Sequence, residues 1–206
     1  MAANYNNSAW FYDRLSRIVY GKALITAQVY LLGFIRPESK ILIVGGGTGW
    51  ILEELAKIHP AGLNVTYVEI STNMISLSQK RQTGQNEVAF INDAVENVKL
   101  PPDFDVVITP FLFDNFVDET VDNVFDHLHH LLKPGRLWLN ADFQLTGHWW
   151  QNVLLKSMFV FFRLLCGIEA SRLPAIEKHF DAAGYSVIED KTFFGDFIVA
   201  RVYEKA

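Results

Sequence analysis

The sequence is short of the residues that several classes of site require. Cys166 is the only cysteine, which excludes an intrachain disulfide and any metal site built on several thiolates. The 18 lysines and arginines are outnumbered by 23 aspartates and glutamates, so the formal net charge is −5. A phosphate-backbone partner calls for a basic surface. The acidic net charge therefore leads us to expect no nucleic-acid partner. The single cysteine leads us to expect a reducing, cytoplasmic setting.

Two kinds of hydrophobic segment are also missing. Residues 1–10 lack the basic start and apolar core of a secretory signal. Residues 149–168 approach spanning length but are interrupted by Gln151, Asn152, Lys156 and Arg163. This pattern predicts an amphipathic helix without stable membrane insertion. The helix has three alternative roles: packing against the domain or a second subunit in a homodimer, a lid over an apolar acceptor, or a contact with a membrane surface.

The composition is otherwise that of a globular chain. Half of the 206 residues are hydrophobic and 14% are aromatic, enough for a sizeable core. No internal repeat, low-complexity run or linker divides the sequence. We predict one domain over residues 1–206, with an N-terminal helical cap at residues 1–37 and an inserted amphipathic helix at residues 149–170.

The stretch Ile41–Gly49 organises the middle of the chain. Its first four residues are aliphatic and predict a strand buried on both faces, as in the centre of a parallel sheet. The glycines that follow permit a sharp turn and a close approach of backbone to ligand. Residues 50–58 then place apolar side chains at helical spacing. Strand, turn and helix predict the first half of a nucleotide-binding crevice, with a purely structural turn as the alternative.

The spacing of the glycines discriminates between nucleotide ligands. The dinucleotide fingerprint G-x-G-x-x-G needs a third glycine where this chain has Trp50. Gly45, Gly47 and Gly49 instead form a shorter pattern, which suits an adenosine ligand without a pyrophosphate. A nicotinamide oxidoreductase is therefore disfavoured.

Strand and helix patterns alternate through the rest of the chain. Helices are predicted at residues 119–132 and 174–183, and after Ser71 as an N-cap. Gly195 and Asp196 predict a two-residue hairpin turn. Strands are predicted at residues 41–44, 64–70, 88–92, 105–108, 136–143, 185–194 and 197–203. The fold class is α/β: a doubly wound, seven-stranded, Rossmann-like sheet, mostly parallel, with an antiparallel C-terminal hairpin.

Acidic residues follow two of the predicted strands. Glu69 lies 20 positions after Gly49, close to where an acid takes the ribose hydroxyls in such crevices. Asp93 follows the third strand, where its carboxylate could accept a hydrogen bond from an adenine amino group. An exposed glutamate at a strand end is the alternative for Glu69.

Further polar residues are candidates for proton transfer or metal binding. Asp114 and His148 follow the fourth and fifth strands, so either could act as a general base if the acceptor carries a proton. We name no catalytic residue, because structural roles are open for both. His127 and His130 could share a helix face, as could Asp126 and His130, but this helix is expected to lie away from the crevice, and we expect no metal.

Five stretches in order resemble the class I S-adenosylmethionine-dependent methyltransferases. They are Ile41–Gly49, Tyr67–Met74, Asn92–Ala94, Phe104–Phe116 and Leu131–Leu137. The resemblance implies a Rossmann-like methyltransferase sheet that binds S-adenosylmethionine. It implies that Gly45, Gly47 and Gly49 pass beneath the methionine part of the cofactor, that Glu69 holds the ribose, that Asp93 with Ala94 meets the adenine, and that Thr109 and Pro110 face the reacting centre. Gly46 and Ile70 are further predicted cofactor-binding residues.

The first residues suggest a substrate class. The segment Trp10–Asp13 resembles the quinone-biosynthesis branch of the family, which methylates apolar rings. Tyr12, with Asp114 and His148, is a candidate for contact with the acceptor. Aromatic residues near this segment, Tyr20 among them, could line a pocket or simply pack onto the fold.

The chain departs from the family pattern at two places. Ile43 stands where the glycine motif often has an acid, and Thr109–Leu112 lacks the Asn/Asp-Pro-Pro-Tyr/Phe motif of nucleobase methylation. The predicted function is methyl transfer from S-adenosylmethionine to a small, apolar or aromatic molecule. The alternative is a non-catalytic module that binds the cofactor and acts through a protein partner.

Overall fold

The computed structural model describes residues 20–166 and 170–206. The strands are β1 (Lys40–Val44), β2 (Ala61–Val68), β3 (Gln85–Ile91), β4 (Phe104–Pro110), β5 (Leu132–Phe143), β6 (Ser186–Phe193) and β7 (Ile198–Glu204). The helices are α1 (Ala23–Leu32), α2 (Trp50–Ile58), α3 (Thr72–Ser78), α4 (Asp118–Leu131), α5 (Trp149–Cys166) and α6 (Ile176–Ala182). No helix of these residues is long and apolar enough to cross a membrane.

The strands form one sheet with the order β3-β2-β1-β4-β5-β7-β6. Strands β1 to β5 run parallel to one another, and β7 is antiparallel to both β5 and β6. The predicted seven-stranded, mostly parallel sheet with an antiparallel C-terminal hairpin is confirmed. The strand order reverses between β1 and β4, and their carboxyl ends define the crevice of a doubly wound sheet.

Helices cover both faces of the sheet. Strand residues such as Ile41, Ile43 and Tyr67 pack on one face with apolar residues of α1, α2, α3 and α5. Leu42, Val44 and Trp138 pack on the other face with α4 and α6. Alternate residues of one strand thus enter opposite cores, which is why the central strands read as continuous aliphatic runs.

Three strands begin earlier in the sequence than predicted. β2 and β3 begin earlier, at Ala61 and Gln85, because these two residues pair across a register shift. β5 begins at Leu132 rather than at residue 136, directly after α4. Leu132 pairs with Phe104 and Leu137 pairs with Val106, so β5 takes five steps where β4 takes two. The predicted stop at residues 133–135 is therefore a bulge within the strand.

Local turn chemistry agrees with the sequence. Ser71 caps α3 by accepting a hydrogen bond from the Met74 N–H at 3.3 Å, which confirms its predicted role. Gly195 and Asp196 have φ of 58° and 60°, and the Phe197 N–H donates to the Phe194 carbonyl at 3.3 Å. This confirms the predicted two-residue turn. Since Phe143 pairs with Ile198, the hairpin tip lies at the carboxyl ends of the parallel strands.

Candidate functional site

The glycine turn after β1 is held by its own backbone and by one tyrosine. Gly45, Gly47 and Gly49 all have positive φ, between 63° and 78°. The Gly45 N–H donates to the Val68 carbonyl at 2.9 Å, and the Tyr67 hydroxyl donates to the Gly47 carbonyl at 3.0 Å. A Cβ on Gly46 would lie 2.5 Å from the Tyr67 ring. The turn therefore presents bare backbone at the crevice.

Tyr67 was not among the residues predicted for the site. It lies at the end of β2, opposite Ile43 of β1, and both side chains are fully buried. Ile43, the position where the family often has an acid, thus belongs to the core. The Tyr67 hydroxyl anchors the turn from beneath. The only signal in the sequence is a tyrosine in an otherwise aliphatic buried strand.

Glu69 is positioned at the mouth of this turn. Its carboxylate accepts from the Gly47 N–H at 3.1 Å and from the Ser71 N–H at 2.9 Å. Burial raises the pKa of this carboxyl, and the backbone donors act in the opposite direction. A carboxylate has about four acceptor sites, so it can still accept from two further hydroxyls. This arrangement suits a ribose diol.

The predicted adenine side of the crevice is built by the next loop. Asn92 donates to the Glu69 carbonyl at 2.9 Å and to the Ile70 carbonyl at 3.0 Å, which ties the ends of β2 and β3 together. Asp93 is exposed and accepts from the Ala94 N–H at 2.7 Å. Ile70 is 38% exposed. The exposed side chains of Ile70 and Asp93 thus follow the ends of the neighbouring strands β2 and β3.

The end of β4 has a different arrangement from the one expected. Thr109 is fully buried; its hydroxyl donates to Asn140 at 2.8 Å and accepts from the Trp138 indole N–H at 2.9 Å. Its side chain therefore lies within the core, and only its backbone is left for a reacting centre. Pro110 is buried and pairs with Ala141. Phe111 then has φ of 53°, a conformation that is rare for an aromatic residue outside functional sites and tight turns.

Two buried carboxyls lie beyond β4 and near the end of β5. Asp114 accepts from the Asn115 side-chain amide at 2.7 Å, and Asp142 accepts from the Phe143 N–H at 2.8 Å. The second oxygen of Asp142, Oδ2, is buried without a hydrogen-bond partner in the part of the chain that the structure describes. Asp142 was missed by the sequence analysis. A signal was present, because Asn140 and Asp142 are polar residues at alternate positions of a buried strand.

Burial and the charge of a neighbouring acid keep each of these carboxyls protonated at higher pH than usual. Burial raises the pKa of Asp142 to about 7, with Glu177 acting in the same direction and Arg201 against it. Burial and the neighbouring Asp142 raise the pKa of Asp114 well above its usual value. Paired carboxyls with raised pKa values are typical of groups that exchange protons.

Aromatic rings surround this end of the sheet. The ring centroids of Tyr20 and Phe143 are 5.4 Å apart, and those of Phe111 and Phe143 are 5.1 Å apart. The Tyr20 hydroxyl donates to the sulfur of Met158 in α5 at 3.4 Å, so α5 closes over this cluster. Burial raises the pKa of Tyr20, and the charge of Asp114 adds to the effect. The cluster joins an apolar wall to the carboxyl pair.

The remaining predicted residues are not brought into the cluster. His148 is exposed, and its ring stacks on Trp150 with centroids 6.2 Å apart. Tyr12 lies outside the described residues. His130 contacts the Asp126 carbonyl at 2.6 Å, and the described residues hold no group of three or more His, Cys, Asp or Glu that could bind a metal ion.

Comparisons with known proteins agree with this geometry. Residues 41–135 match the family model described as a methyltransferase domain. Over 127 residues the chain is 30% identical to a malonyl-[acyl-carrier protein] O-methyltransferase of Bacillus cereus. The aligned region covers 60% of this chain and 46% of that protein. A ubiquinone/menaquinone biosynthesis C-methyltransferase of Geotalea daltonii is 26% identical over 132 residues, covering 62% of the chain and 54% of that protein. The chain thus spans about half the length of these curated relatives.

Solved structures share the whole architecture. The complex of the Haloferax volcanii Trm112 methyltransferase activator with a methyltransferase includes a chain with a TM-score of 0.74 at 15% identity, covering 100% of this chain and 99% of that one. A Burkholderia thailandensis 1,6-didemethyltoxoflavin-N1-methyltransferase, solved with bound 1,6-didemethyltoxoflavin and S-adenosylhomocysteine, has a TM-score of 0.67 at 17% identity. The match covers 95% of this chain and 84% of that one. Residues 41–135 thus match a methyltransferase family model, and the chain shares its fold with these methyltransferase structures.

Proposed function

We propose that the chain transfers the methyl group of S-adenosylmethionine to a small apolar or aromatic acceptor, in a reducing, cytoplasmic setting. The observation that carries the cofactor is the buried Glu69 carboxylate, held by the Gly47 and Ser71 N–H groups beside a side-chain-free glycine turn. The residues proposed to hold the cofactor are Gly45, Gly46, Gly47, Gly49, Glu69, Ile70, Asp93 and Ala94. The sulfonium of this cofactor supplies an activated methyl group, so the protein mainly aligns the acceptor and excludes water.

The surroundings of Asp114 support a neutral acceptor that donates a hydrogen bond, such as a ring hydroxyl or ring N–H. The aromatic cluster of Tyr20, Phe111 and Phe143 offers an apolar wall, and the carboxyl pair can accept a proton. A malonyl acceptor would present a carboxylate, and burying that charge would require a cation to pair with it. Arg201, the nearby cation, is paired with Glu177 and Asp190 at 2.6 Å each.

Calorimetric titration tests the cofactor first. We expect saturable binding of S-adenosylmethionine and S-adenosylhomocysteine and none of NADH. Labelled S-adenosylmethionine would then be offered with phenols and ring amines, and with malonyl thioesters as the carboxylate controls. Transfer to the ring acceptors supports the proposal, and transfer to the malonyl carboxylate alone contradicts the proposed acceptor class. Tight binding with no transfer to any acceptor favours the non-catalytic module instead.

Replacing Glu69 by alanine should weaken cofactor binding by about 1–3 kcal/mol, because the ribose hydroxyls and two backbone N–H groups lose their acceptor. The cofactor affinity of Glu69→Gln should lie between those of the wild type and Glu69→Ala, since an amide keeps one acceptor oxygen. The matched control is Glu87→Ala, an exposed glutamate on β3. Calorimetry on the three variants measures the effect, and unchanged affinity in Glu69→Ala would remove Glu69 from the site.

A further inference from the structure

Helix α5 has one face in the core and one face in solvent. Leu155 and Phe159 are buried against the sheet, and Gln151 is buried by hydrogen bonds to Thr146 and to the Gly195 carbonyl. The exposed side chains recur at three- and four-residue steps and so lie on one side of the helix. They are Trp149, Asn152, Val153, Lys156, Ser157, Val160, Arg163 and Leu164.

Four of these exposed side chains are large and apolar. Trp149 is 77% exposed, Leu164 is 80% exposed, and Val153 and Val160 are each more than half exposed. Their spacing of four, seven and four residues aligns them in one stripe along the helix. A groove of about 550 Å³ adjoins the stripe, between the first turns of α5 and Phe194 of the hairpin tip. Singly exposed apolar residues are ordinary, but a continuous stripe beside a groove marks an interaction surface.

The charge of this surface is opposite to that of the chain. The exposed face of α5 carries Lys156 and Arg163, and residues 149–166 contain no aspartate or glutamate, whereas the whole chain has a net charge of −5. Within the described ranges, no ion pair engages either cation. The surface therefore offers apolar side chains and unneutralised positive charge together.

We propose that the exposed face of α5 docks on the surface of an anionic lipid bilayer. A bilayer interface accepts both components, because apolar side chains enter the acyl boundary while the cations meet the headgroups. The long stems of Lys156 and Arg163 allow their charges to reach the headgroup level. The helix would lie in the interface rather than cross it.

A second copy of the chain fits this surface less well. Self-pairing of α5 would bring the cations of both copies into an apolar interface that contains no acid to neutralise them. Burying unpaired charge is costly, so such a dimer would be opposed at its centre. Lipid headgroups supply the missing negative charge.

Docking would also orient the crevice. The first turn of α5 adjoins the hairpin tip, and this tip lies at the carboxyl ends of the parallel strands. The proposed acceptor end of the crevice would therefore open close to the lipid surface. Only this consequence rests on the proposed methyl transfer; the docking itself is independent of it.

Sedimentation with vesicles tests the proposal without any enzyme assay. The full chain is mixed with vesicles of phosphatidylcholine and phosphatidylglycerol at 3:1, or with phosphatidylcholine alone. We expect binding to the anionic vesicles, with little to the neutral ones, and release as salt is raised to about 0.5 M. Light scattering on the free protein is measured in parallel.

Matched variants locate the surface. Val153→Ser/Lys156→Glu and Arg163→Glu/Leu164→Ser each exchange one exposed aliphatic residue and one exposed cation on α5. The control Lys57→Glu/Ile58→Ser makes the same exchange at the end of α2, where both side chains are exposed. Each α5 variant should lower the partition coefficient by about tenfold or more, and the control should leave it unchanged.

Four results would overturn the proposal. They are no sedimentation with anionic vesicles, equal binding to neutral vesicles, equal loss in the control variant, and a dimer in solution that the α5 variants dissociate. The last result would assign the surface to self-association. Cofactor titration by calorimetry is carried out separately, so a failure of the proposed methyl transfer leaves the vesicle result intact.

Discussion

Replacing Gly49 by alanine is expected to lower the free energy of unfolding by about 2–5 kcal/mol. Gly49 has φ of 78° and precedes α2. A Cβ there would lie 2.4 Å from the Cβ of Ser78 and 2.6 Å from its Cα, so the backbone of α3 would have to move. The substitution therefore combines an unfavourable backbone conformation with a steric overlap between two helices.

Gly47→Ala is the matched control for this prediction. Gly47 also has positive φ, but the nearest atom to its Cβ would be the Met74 sulfur at 3.8 Å. It should cost only the backbone conformation, about 1–2 kcal/mol. Urea unfolding of the two variants measures the difference. Equal destabilisation would show that contact with Ser78 is not the cause. Gly47→Ala should nevertheless weaken cofactor binding, because Gly47 is part of the proposed cradle.

The stability of the protein should fall as the pH rises through the range in which Asp142 ionises. The pKa of Asp142 is about 7 in the folded state and near 3.8 in an unfolded chain. Between these values the folded state binds the extra proton, so unfolding releases it and becomes easier at higher pH. The expected loss from pH 5 to pH 8 is about 2–3 kcal/mol. Asp114 acts in the same direction.

Asp142→Asn should remove the share of this pH dependence that Asp142 contributes and leave the share of Asp114, because an amide has no proton to lose in this range. The control Asp126→Asn removes an exposed carboxylate from α4 and should keep the wild-type slope. Urea unfolding at pH 5, 6, 7 and 8 provides the curves. Parallel curves for the wild type and Asp142→Asn would assign the pH dependence to other groups. The two carboxyls have further charged or titratable neighbours whose ionisation also contributes to these curves: Glu177, Arg201 and Tyr20.

The sequence was most informative where a residue's role depends on its neighbours along the chain. The aliphatic run 41–44, the glycines after it and the Gly195–Asp196 turn are local patterns, and each predicted the structure that is observed. Glu69 was located at the end of β2 because carboxyl ends of parallel strands share one edge. The alternation of strand and helix patterns also predicted a doubly wound, seven-stranded sheet.

Roles that depend on contacts between distant residues could not be read in this way. Asp142 becomes a buried carboxyl beside Asp114, Glu177 and Arg201 only in the folded chain, and hydrophobic periodicity carries no information about that environment. Thr109 was expected to face the reacting centre, but its hydroxyl binds Trp138 and Asn140 across the sheet. The start of β5 was misplaced because a bulge, which the pattern of residues 132–137 does not show, extends the strand.

The contact between Tyr67 and the glycine turn has a consequence for how the sequence can vary. Alanine at position 46 would place its methyl group 2.5 Å from the Tyr67 ring, so it is tolerated only after position 67 becomes smaller. A smaller residue at position 67 in turn loses the hydroxyl that holds the Gly47 carbonyl at 3.0 Å. Each single step is unfavourable on its own. In a mutational landscape, the two positions are epistatic and change together or remain as they are.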